Sequence, residues 1–176
     1  MEQSAEELLG MLDHVQLSHA WATRSKVTYE RHMAAWQQFT VAESKRLALK
    51  SAKEARRAPD EVGALFAETN IGGLILPAEG HWQDGLKLLA ETAAKAEFIR
   101  DNGLVADVER ANRVLMNCDV FTIQNSIKFG CPYPYAIEAL LKRLEKNPVF
   151  EKYKEKEWAV KLFQEANAYI KFYTDT

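Results

Sequence analysis

Apolar residues recur every three or four positions along most of this chain and nowhere alternate in twos for a useful length. Three-to-four spacing lines up side chains on one face of an α-helix, whereas alternation marks a strand. Leu8, Leu12, Val15, His19 and Ala22 share one such face. They follow Ser4-Ala5-Glu6-Glu7, which has the S-x-x-E form of a capping box, so the first helix is expected to start near residue 5. No Gly or Pro occurs from Met11 to Ala58, and these are the residues that most strongly punctuate helices. One rod from 5 to 57 would be roughly 80 Å long and would leave most of itself without a partner. A break near Thr23 to Thr28 is expected instead, with Ser25 or Thr28 capping a second helix that runs to about Arg57.

Further along, the punctuation is denser. Pro59-Asp60 opens a short helix over 60–69. "TNIGGLILPAEG" reads as a loop with an apolar centre, in which Leu74, Ile75 and Leu76 fold onto the core. The next helix runs from Ala78 or Trp82 to Asp101, and Asn102-Gly103 supplies a left-handed stop of the kind glycine allows. A largely buried helix over 104–129 carries Val108, Leu115, Val120, Ile123 and Ile127 on two adjoining stripes. Gly130 closes it, and Pro134 sits in the first turn of the following helix, where a missing N–H costs nothing. Asn147-Pro148 stops that helix. The last, over 149–172, points Tyr153, Trp158, Leu162, Tyr169 and Phe172 one way. The predicted fold is an all-α bundle of six or seven helices in a single domain, 1–176. Its parts are a long helix or hairpin over 1–57, a short helix and loop over 58–80, and a bundle over 81–176.

Composition agrees with a packed domain. Of 176 residues, 47% are hydrophobic and 27% charged, proportions that exclude a disordered chain. The longest apolar stretch, within "IGGLILPA", falls far short of the roughly 20 residues of a membrane span. The acidic start "MEQSAEELLG" lacks the basic-then-apolar order of a secretory signal. Two cysteines, Cys118 and Cys131, make no disulfide framework. A cytoplasmic protein with reduced thiols and no membrane contact is expected.

Candidate chemistry is sparse. Cys131, between Gly130 and Pro132, has the look of a presented nucleophile, and a helix N-terminus nearby would lower its pKa. Each residue of that stretch also has a plain role in joining two helices, and no histidine is near in sequence, so the join is the preferred reading and no catalytic residue is assigned. Cys118 reads as a small core residue. No Glu-x-x-His pair of the kind used by metal-binding bundles occurs. His14 and His19 diverge around the helix, and His19 reads as semi-buried. Neither a phosphate loop nor a dinucleotide fingerprint is present. No metal and no cofactor is expected. Should a pocket form between helices, His32, Trp36, Glu43, His81, Trp82 and Cys131 are its candidate lining.

Charge is the most informative surface feature. Residues 1–23 carry four acids and no Lys or Arg, whereas 24–57 carry nine bases against three acids. Arg46, Lys50, Lys53 and Arg57 form a stripe along about three turns, with Lys45 and Arg56 at its sides. Besides a solvated face, this stripe suits an acidic protein partner, the acidic first helix of a second copy, or a nucleic-acid backbone inside a larger complex. A pI near 6.1 argues against a free-standing nucleic-acid binder. The expected function is a non-enzymatic helical adaptor or small subunit working through protein–protein contacts. The alternatives are a nucleoprotein subunit using the stripe, and an enzyme or ligand binder with an inter-helix pocket.

Overall fold

The structure, a computed structural model, describes the backbone of residues 2–175 and side chains from residue 14 onward. The chain is 85% helical, with no strand among the described residues. Seven α-helices among them exceed two turns: α1 (Glu2–Gln37), α2 (Val41–Arg57), α3 (Glu61–Asn70), α4 (Trp82–Asn102), α5 (Val105–Lys128), α6 (Pro134–Glu145) and α7 (Glu157–Thr174). Contacts divide them into two compact units, Met1–Glu68 and Thr69–Thr176. No described helix is long and apolar enough to cross a membrane.

In the first unit α1 runs unbroken through Thr23 to Thr28, where the sequence suggested a break. The hydroxyls read as caps instead cross to α2. Ser25 Oγ donates to the Ser51 carbonyl and Ser51 Oγ to the Ser25 carbonyl, both at 3.0 Å. Thr28 donates to Glu54 Oε2 at 2.7 Å. His32 Nδ1 lies 2.9 Å from the Ser44 carbonyl, and Ser44 Oγ donates back to the His32 carbonyl at 3.3 Å. Ser18 Oγ reaches the Ala58 carbonyl at 3.3 Å. The polar partners thus step by seven on both helices, 18, 25, 32 against 58, 51, 44, which is an antiparallel pair with a coiled-coil repeat. Small residues between them, Ala48, Ala52 and Ala55, let the backbones approach closely. This seam is buried, whereas Val15, His19 and Ala22 of the stripe read from the sequence are exposed.

The helix breaks at Gln38–Thr40 without Gly or Pro. The Thr40 amide bonds the Ala35 carbonyl at 3.0 Å and the Phe39 amide the Trp36 carbonyl at 2.9 Å, with Phe39 at φ +58°. These two bonds define a Schellman motif, here with phenylalanine in the left-handed position glycine usually takes. Glycine takes it where α5 ends: Cys131 N–H bonds the Ser126 carbonyl and Gly130 N–H the Ile127 carbonyl, with Gly130 at φ +68°. That terminus is as the sequence indicated. Gly103, by contrast, is extended, not left-handed. The α1 backbone is helical from Glu2, and the Ser4–Glu7 side chains lie outside the described ones.

The stretch expected as a loop is helical. After α3 the chain widens into a π-helical turn, Ile71–Ile75, followed by Leu76–Ala78. Pro77 has no N–H for the carbonyl of Gly73, four residues back. That carbonyl instead accepts from Asn125 Nδ2 at 3.1 Å. The glycines serve close packing: a Cβ on Gly73 would fall within 2.4 Å of the Phe121 ring, and one on Gly85 within 2.5 Å of the Gly72 carbonyl. The core of the second unit gathers Met116, Ile123, Ile137, Leu141, Leu144, Phe150 and Leu162 from α5, α6, a 3-10 turn (Phe150–Lys152) and α7. Leu162 faces this core, but Phe172 is exposed and Tyr153 belongs to the turn region before α7, so the expected aromatic face of the last helix is split.

Candidate functional site

Exposed apolar surface on the first unit is the first candidate. Ser18 stands opposite Ala58 at the end of α2, so residues 2–17 of α1 extend beyond α2. At ~1.5 Å per residue this overhang is roughly 24 Å long. Val15 and Leu17 on it are 52% and 57% exposed. His19 and Ala22 are exposed as well, contrary to the semi-buried place expected for His19. Leu8 and Leu12 continue the stripe in sequence, and their side chains lie outside the described ones. At the other end of the hairpin, Phe39 is 87% exposed.

The basic stripe lies on α2 as the spacing required, and much of it is spent within the chain. Arg46 donates twice to Glu43, at 2.7 and 2.6 Å. Lys50 Nζ lies 3.8 Å from buried Glu54. Arg56 bonds Glu61 and Glu68, at 3.0 and 2.5 Å through Nη2. Arg57 stacks over the Trp21 ring, 4.5 Å from its centroid. Lys45, half-buried, also has a partner. Lys53 points outward without an ion pair among the described residues.

The six proposed pocket residues divide between the units. In the first, His32 is fully buried in the helix seam, Trp36 is half-buried near its tip, and Glu43 holds Arg46. Burial holds the His32 imidazole below its ordinary pKa, with the Ser44 carbonyl opposing part of that shift. In the second, His81 is exposed at the start of α4, and Trp82 stacks on Phe129 at 5.3 Å. Trp82 and Cys131 share a cleft of about 440 Å³ with Leu86, Ile137 and Leu140. Burial pushes the Cys131 thiol up, and Ser126 offsets part of this. A nucleophile needs the opposite shift. The Cys131 carbonyl accepts from Tyr169 at 2.7 Å, which ties the helix join to α7. Cys118 is buried beside Thr69, its thiol pushed up to about 12 by burial. No group of three His, Cys, Asp or Glu poised for a metal occurs among the described residues.

A cluster the sequence did not suggest lies between α4, α5 and α6. Asp119, 1% exposed, is gripped by Arg143 through Nε at 3.0 Å and through Nη2. Arg143 Nη1 also donates to Glu97 at 2.9 Å. Burial pushes the Asp119 carboxyl above its usual range, and the Arg143 bonds offset part of the shift. A cleft of about 620 Å³ opens beside it. Its partners come from three helices 22 to 46 residues apart in sequence, so no local motif announces it. No protein-family model, curated protein or solved structure matches the chain.

Proposed function

We propose that this chain is a non-enzymatic helical adaptor or small subunit that acts through protein–protein contacts made by the overhanging part of α1. The observation that carries the reading is the exposed apolar stripe. Its 3.6-residue periodicity is that of a helix face built for burial, yet Val15, His19 and Ala22 on it are exposed. A second copy is the first partner to test, because the acidic 1–23 segment complements the basic 24–57 segment. Contact with a nucleic-acid backbone is less well supported, since Arg46, Lys50 and Arg56 already face carboxylates of their own chain.

The test is a Leu12→Lys, Val15→Lys double variant. Sedimentation velocity and purification from the native host should show an oligomer or a bound partner for the parent and a free monomer for the variant, with melting temperature unchanged. An association that survives both substitutions removes the α1 overhang from the proposal.

A further inference from the structure

We propose that the cleft between α4, α5 and α6 binds a small phosphate monoester with a partly apolar body. Its walls carry four cations, Arg100, Lys142, Arg143 and Lys146, against one carboxylate, Glu97, with Asp119 behind Arg143. The volume, about 620 Å³, lies in the range of small-molecule sites.

Two groups mark the cleft as made for a ligand and not only for structure. Asn112 is 6% exposed and lines the cleft. Its main-chain carbonyl accepts from Asn147 at 2.8 Å, but its side-chain amide bonds no described residue. That amide is left to donate to a bound oxyanion. Lys146 has no carboxylate partner among the described residues, unlike the other three cations. Arg143 uses three guanidinium hydrogens on Asp119 and Glu97, which leaves two of its five. The pairs Arg100–Asp101 and Lys142–Glu138 are at the exposed rim, where ion pairs are weak enough for an incoming anion to displace.

The donor count selects the ligand class. A carboxylate has two oxygens and one charge, which a single arginine fork satisfies. Here the Asn112 amide, the spare Arg143 hydrogens, the Lys146 ammonium and Arg100 all line one cleft, from α4, α5 and the end of α6. That set matches three terminal oxygens bearing up to two charges. Val108, Leu115 and Pro148 line the rest and give an apolar body a place to lie.

The test titrates the full ¹⁵N-labelled chain with inorganic phosphate, phenyl phosphate and benzoate. Phenyl phosphate should bind saturably, with Kd below about 1 mM, and shift the Asn112 side-chain amide and the Lys146 backbone. Inorganic phosphate should bind the same residues more weakly. Lys146→Glu should weaken phenyl phosphate at least about tenfold with melting temperature unchanged, and Lys146→Arg should restore it. Absence of saturable shifts, or shifts indifferent to Lys146→Glu, overturns the site. Benzoate binding as tightly as phenyl phosphate overturns the phosphate assignment.

Discussion

Two residues in the left-handed region show how identity and conformation disagree or agree at one position. A Cβ on Gly130, at φ +68°, would meet no atom within 4 Å, so Gly130→Ala carries only the backbone cost, about 1 kcal/mol. Phe39 at φ +58° already bears that cost. Phe39→Gly should raise stability by about 0.5–1 kcal/mol, part of the relief being lost to the greater freedom of glycine in the unfolded chain. Urea midpoints of the two variants should move in opposite directions. If Phe39→Gly also weakens an association, the strained phenylalanine is kept for contact. His32 makes a pH prediction. Its pKa in the folded chain is lowered, so below about 6.5 the unfolded chain takes up a proton that the folded one resists. Stability is therefore fully present above that pH and falls as the solution is acidified. Between pH 7.5 and 5.5 the parent should lose stability, and His32→Gln should lose less. An equal loss in both would assign the effect to other groups.

At the scale of elements, the α1–α2 pair is joined by small polar residues at a seven-residue repeat. Ser51→Leu removes the crossed bonds with Ser25 and forces the backbones apart, and should cost about 1–3 kcal/mol. Lys53→Leu, two positions on and outward, should change stability by less than about 0.5 kcal/mol. Equal effects in thermal melts would mean that the seam is loosely packed. The same seam explains what the sequence did and did not reveal. Serine and threonine that cross-bond look identical to those that cap, so Ser25 and Thr28 suggested a break. The repeat Ser18, Ser25, His32 against Ser44, Ser51, Ala58 was the available signal. Where Gly or Pro acts as punctuation, as at Gly130 and Pro134, helix ends were legible. Gly72 and Gly73 misled because they serve close packing, a tertiary property. Of the candidate pocket residues, Trp82 and Cys131 line one cleft. Asn112, Asp119 and Arg143 were missed because their grouping depends on how α4, α5 and α6 pack.

For the whole molecule, the question is whether the excess of bases over 24–57 is a field for polyanions. The net charge is −2, and the ion pairs around α2 shorten the reach of its cations. Each phosphate neutralised adds about −0.7 to −0.9 to the slope of log affinity against log salt, so six engaged cations would give a slope near −4 to −5. The expected result is different: single- and double-stranded oligonucleotides should show no measurable binding at about 0.15 M salt, where exposed charges act over only ~8 Å. Reversing Lys50 and Lys53 to Glu should leave that null result unchanged. It should weaken any self-association in which the acidic end of one copy lies along the α2 of another, and should flatten its salt dependence. A steep salt slope for oligonucleotides that these two reversals reduce would instead make α2 a nucleic-acid face, and the adaptor reading would yield to that of a nucleoprotein subunit.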